Sequence, residues 1–141
     1  MHLEAYLMQE LRRNNRLTQQ LFPNVLLDWV GNEIYCGAGM QRIDILAYAS
    51  NDLNSFVHVL ELKAGEVGPD VASQLNRYVK WLRAHIPGIT PQQIVPTVVC
   101  PSSVPSFHDA LGTYLAGHGI ESYREIHYTP DLDFDLMLHN V

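Results

Sequence analysis

The sequence predicts an α/β domain in which a mixed sheet, part antiparallel and part parallel, carries helices on both faces. Three observations predict it. Segments of helical period alternate with segments of strand character; the first strands follow one another directly, whereas the later ones are each preceded by a helix; and no repeat or low-complexity stretch interrupts the order α, antiparallel β-strands, α, β, α, β. A chain of 141 residues, 47% hydrophobic and 17% charged, suits a single domain spanning 1–141.

Residues 3 to 15 read as a first helix, because Leu3, Leu7, Met8 and Leu11 form an apolar stripe. At 100° per residue Glu4 falls inside that stripe, while Arg12, Arg13 and Arg16 take the opposite side. Phe22-Pro23-Asn24 is a turn into a strand at 25 to 30, and Gly31-Asn32 is expected to make a hairpin turn to a second strand at 33 to 36. Strands are expected at 42 to 49 and 56 to 63, joined by the polar turn Ser50 to Ser55. Pro69-Asp70 opens a helix, since proline fits the first turn and an acid complements the N-terminal dipole; Val71, Leu75, Tyr78 and Leu82 are its inward stripe, and Pro87-Gly88 ends it. A Val-rich strand at 94 to 100, a helix at 104 to 116 and a strand at 120 to 128 complete the pattern. In the tail, Leu132, Phe134, Leu136 and Leu138 alternate with Asp131, Asp133, Asp135 and Met137, a half-buried strand that either caps the sheet or pairs with a second subunit.

Composition excludes several classes. No run reaches the length of a membrane span and the N-terminus lacks the layout of a signal peptide, so a soluble cytoplasmic protein is expected. Cys36 and Cys100 form no Cys-x-x-Cys pair and read as core thiols; the seven histidines show no ligand spacing such as His-x-x-x-His, so no zinc is expected. A net charge of -6 argues against a generic nucleic-acid coat protein, though an acidic metal site lowers net charge by itself.

The chemistry concentrates on Asp44 and on Glu61-Leu62-Lys63, each in an apolar run. Successive strand residues face opposite ways, so Glu61 and Lys63 share a face, where an acid and an ammonium are costly unless paired, metal-bound or functional. An ordinary surface salt bridge would use the same residue types, so the motif alone is weak. In-line cleavage of a phosphodiester needs an attacking water and stabilisation of developing charge, which a divalent metal supplies; Mg²⁺ is held by one or two carboxylates, and Asp44 and Glu61 suit it. Lys63 beside them would orient or deprotonate the water, or stabilise the transition state as a cation.

With these residues in place, the chain resembles the PD-(D/E)XK nuclease superfamily, which has a restriction-endonuclease-like core of α-β-β-β-α-β, here with a further helix and strand. The resemblance is closer to the C-terminal catalytic domain of NucS/EndoMS endonucleases, through Gln41-Arg42-Ile43-Asp44-Ile45-Leu46-Ala47, Val59-Leu60-Glu61-Leu62-Lys63, Ser73-Gln74-Leu75-Asn76-Arg77-Tyr78, Val98-Val99-Cys100-Pro101-Ser102 and Gly119-Ile120-Glu121. It implies a Mg²⁺- or Mn²⁺-dependent deoxyribonuclease with Asp44 and Glu61 as metal ligands, and with Asp44, Glu61, Lys63, Glu4 and Gln74 in the catalytic set. Gln41 stands where that family usually has Gly, and its separate N-terminal domain has no counterpart in this sequence. Gln74 and Tyr78, one helical turn apart, also match a pattern of RecB-like exonucleases. DNA is the implied partner, contacted by Arg12, Arg13, Arg77, Tyr78 and Lys80, and a homodimer would present two sites to a duplex. The alternative is a catalytically silent nuclease-fold protein serving binding or assembly.

Overall fold

The computed structural model describes residues 3–13, 16–37, 41–130 and 136–140. Its elements are α1 (Leu3–Arg12), α2 (Arg16–Leu21), β1 (Leu26–Tyr35), β2 (Arg42–Ser50), β3 (Ser55–Leu62), α3 (Pro69–His85), β4 (Ile94–Cys100), α4 (Pro105–Ala116), β5 (Arg124–Pro130) and β6 (Leu136–Asn140), with a short 3₁₀ turn at Pro91–Gln93 before β4. The strands form one sheet in sequence order, β1 to β6. β1–β2, β2–β3 and β5–β6 pair antiparallel, whereas β3–β4 and β4–β5 pair parallel because α3 and α4 carry the chain back between them.

Alternation along the strands divides the core into two layers. Val57 and Val59 of β3 and Val98 and Cys100 of β4 face α3 and α4, packing with Leu75, Val79, Phe107 and Leu111. Leu60 and Val99 point the other way, onto Leu7, Leu11, Leu17 and Phe22 of the α1–α2 side. A mixed sheet covered by helices on both faces is therefore present, as the pattern predicts.

Three local expectations are corrected. The hairpin at Gly31-Asn32 does not form: β1 runs unbroken through both residues, with Gly31 opposite Leu46 and Asn32 opposite Ile45, and its irregularity is a bulge between Leu27 and Trp29. A glycine–asparagine pair is compatible with a turn, but β2 offers a ladder partner along the whole length of β1. Gly31 also lies under the Trp29 indole, which would come within 2.5 Å of a Cβ there. The first helix ends at Arg12 and is followed by α2, which has only six residues, too few for their period to register in sequence. The last of the predicted strands begins at Arg124 rather than Ile120, whose side chain is instead buried against the α3–α4 core. In the tail, β6 pairs with β5; Asp131, Leu132, Asp133, Phe134 and Asp135 lie outside the described residues.

Candidate active site

The regular β2–β3 ladder runs from Ser50↔Ser55 to Ile45↔Leu60. One step further, the same register sets Asp44 opposite Glu61. Here a side chain takes over from the backbone: the Leu62 N–H donates to Asp44 Oδ2 at 2.7 Å. This bond fixes the Asp44 carboxylate against β3, and strand alternation turns both acids toward the α3 side of the sheet. β3 ends at Leu62, but the Lys63 N–H still donates to the Val99 carbonyl at 2.9 Å, so the residue after the strand is held in line. Lys63 Nζ lies 3.1 Å from Glu61 Oε1, in accord with the shared face expected from their spacing. The Tyr128 hydroxyl donates to the Lys63 carbonyl at 3.2 Å; nothing in the sequence signals this brace.

Glu61 is 2% exposed. Burial, reinforced by the neighbouring Asp44 charge and opposed by Lys63, pushes its pKa up to about 7. Asp44 is also raised, by burial, with the Leu62 amide and Lys63 acting against the shift. Each carboxyl influences the protonation of the other. Glu61 Oε2 is buried without a hydrogen-bond partner among the described residues. The nearby Tyr78 hydroxyl has a single proton, and it goes to the Arg42 carbonyl at 2.8 Å. One buried and one half-buried acid, an oxygen lacking a donor and a lysine alongside form a site whose charge is balanced by a proton or by a bound cation. Oxygen donors of this kind fit Mg²⁺ or Mn²⁺.

The other expected site residues are distributed as follows. Gln74 is half-buried on α3, one turn before Tyr78. Glu4 lies on α1, whose buried residues pack on the opposite layer. Tyr78 is not on the nucleic-acid surface: it is 3% exposed in the core, where it ties α3 to β2. The helix stripe that makes Tyr78 face inward also removes it from solvent. Arg77 and Lys80 are exposed on α3, and Arg12 at the end of α1 and Arg13 just after it are exposed, so the two basic clusters lie on opposite faces of the sheet. Arg13 is within 3.5 Å of Glu10, and Arg42 within 3.5 Å of Glu33, both ordinary ion pairs near the surface.

Comparison with solved structures decides the fold. EndoMS in complex with dsDNA superposes with a TM-score of 0.58 at 21% identity, over 88% of this chain and 44% of that one. A repair endonuclease from Pyrococcus abyssi gives a TM-score of 0.57 at 20% identity, over 88% of this chain and 46% of that one. This chain has the fold of those endonucleases. It spans a little under half of their length. Pyrococcus furiosus SfsA, solved with Ca²⁺, is a more distant match, with a TM-score of 0.51 at 11% identity over 98% of this chain and 62% of that one. No family model matches the sequence, and no curated protein matches it.

Proposed function

We propose that this domain is a metal-dependent DNA endonuclease that hydrolyses phosphodiester bonds. The observation that carries the proposal is the pairing of Asp44 and Glu61 across β2 and β3 with Lys63 3.1 Å from Glu61, on a fold shared with EndoMS. Asp44 and Glu61 would hold Mg²⁺ or Mn²⁺, and loss of the proton that burial keeps on Glu61 accompanies binding. When bound, such an ion would lower the pKa of a water and neutralise charge developing on the phosphate oxygens. Asp44, fixed by the Leu62 amide, sets the direction of the ligand pair, and Lys63 orients the attacking water or offsets charge in the transition state. Gln74, on the helix above the pair, is assigned a supporting position at the rim, whereas Glu4, on the layer behind the sheet, is given no part in it. Arg77 and Lys80 on one side, and Arg12 and Arg13 on the other, are the proposed phosphate contacts. Two copies acting together would address both strands of a duplex.

The opposite placement of the basic helices, together with the net charge of -6, favours a second reading: a nuclease fold that binds a partner without cutting. Incubation with linear, closed-circular, mismatched and branched DNA in Mg²⁺ or Mn²⁺ separates the two. The endonuclease reading expects nicking or linearisation of the circle, abolished by Asp44→Asn. Cutting of linear ends alone points to an exonuclease. Binding in a gel shift with no cleavage of any form supports the second reading.

A further inference from the structure

A second cluster of chemically capable side chains lies two strands away from the carboxylate pair, on the same face of the sheet. The register Glu61↔Val98↔Glu125 places Glu125 in the row of Glu61, roughly 10 Å off at ordinary strand spacing. Cys100 of β4 is opposite His127 of β5. The Cys100 Sγ, a Glu125 carboxylate oxygen and a His127 ring nitrogen lie within 4.8 Å of one another. The Glu125 side chain is 3% exposed, with His127 Nε2 2.6 Å from Oε1 and His108 Nε2 3.1 Å from Oε2. Ser103 Oγ donates to Oε1 of the same carboxylate, and the Tyr123 hydroxyl is 2.7 Å from His108 Nδ1.

A serine-hydrolase arrangement is the obvious competitor, because Ser103 Oγ is 3.0 Å from His108 Nε2. That chemistry needs the carboxylate on Nδ1, behind the imidazole. Here Nδ1 faces Tyr123, and the carboxylate stands on the serine side, so Glu125 would hold the serine proton rather than orient the base.

We propose that Cys100, Glu125 and His127 form a binding site for a transition-metal ion of the Zn²⁺ class, distinct from the Asp44–Glu61 pair. A thiolate, an imidazole and a carboxylate are a ligand set for such an ion and a poor one for Mg²⁺. His108 and Ser103 orient the carboxylate from outside, and Tyr123 sets the His108 ring, as hydrogen-bonding partners do around metal ligands. Binding releases the Cys100 thiol proton to solvent. The His127 side chain is 30% exposed, so solvent would reach the cluster there and a water or small anion could complete the ligand set. Bound there, the ion clamps β4 to β5 beside the strand end that carries Lys63.

The test is titration of the full chain with Co²⁺, followed by competition with Zn²⁺. A thiolate-to-cobalt charge-transfer band at one equivalent, displaced by Zn²⁺, is expected. It should persist in Asp44→Asn and Cys36→Ser, disappear in Cys100→Ser, and need at least tenfold more metal in His127→Gln. Cys100 is fully buried, so where its variant fails to fold, His127→Gln, at a partly exposed position, carries the test together with the wild type. The proposal is overturned if the wild type shows no thiolate band, if the band follows Cys36, or if folded His127→Gln binds as tightly as wild type.

Discussion

At the scale of single residues, Glu61 and Lys63 touch yet have separable roles. Glu61→Gln removes one of the two anions available to a hard cation, so calorimetry should show markedly weaker Mg²⁺ binding. Lys63→Ala removes a cation 3.1 Å from Glu61, so metal affinity should hold or rise while single-turnover cleavage slows by roughly 10² to 10⁴. Wild-type cleavage by Lys63→Ala at saturating metal would make the lysine a structural partner only. His58 concerns stability instead. It is buried on the α1–α2 face, edge-on to Phe22 at 4.9 Å, and neither ring nitrogen has a hydrogen-bond partner among the described residues. Burial, with Arg124 nearby, lowers its pKa to about 4 from 6.5. The unfolded chain therefore takes up a proton that the native state refuses, and stability falls as pH drops from about 6.5 to about 4, by up to about 3 kcal/mol. His58→Phe keeps an aromatic ring and removes this loss. Urea unfolding of both proteins at several pH values should show the variant gaining on wild type toward acid; parallel curves would contradict the assignment.

At the scale of elements, α3 is held to the sheet by more than its apolar stripe. The Tyr78 hydroxyl donates to the Arg42 carbonyl at 2.8 Å, two residues before Asp44. Tyr78→Phe leaves the packing in place and deprives that carbonyl of its donor, at about 1–2 kcal/mol. Because β2 also carries Asp44, the variant should lose cleavage rate beyond what the modest fall in melting temperature explains. Unchanged activity at lowered stability would confine Tyr78 to the core. The same element shows why β1 is one strand. Local turn chemistry at Gly31-Asn32 competes with a ladder spanning Leu26↔Ser50 to Tyr35↔Arg42, and the ladder satisfies backbone groups that a hairpin would leave to solvent or to a partner not at hand.

At the scale of the molecule, β1 and β6 are the edges of the sheet among the described residues. β6 pairs with β5 and presents its other side outward, which gives the proposed dimer an edge to build on. Light scattering at micromolar concentration should return twice the monomer mass, and truncation after Thr129 should reduce it to the mass of one chain. A monomer in both cases would oppose the dimer and leave one site to act on one strand at a time.

Period and spacing in the sequence determined the order of elements, the mixed sheet and the shared face of Glu61 and Lys63, because those properties depend on residues close together in the chain. Proline and glycine marked the ends of α3 for the same reason. The tertiary structure alone decided the register that sets Asp44 against Glu61, the depth of burial that raises both acids, and the removal of Tyr78 from the surface. It also decided that Arg12 and Arg77 belong to opposite layers. The Cys100–Glu125–His127 cluster is the clearest case: Glu125 and His127 share a face of β5 by their spacing, but Cys100 comes from a parallel strand separated from them by α4, so no spacing joins all three. Parallel pairing joins residues only after a crossover has returned the chain, and a contact made that way leaves no periodic trace in the sequence.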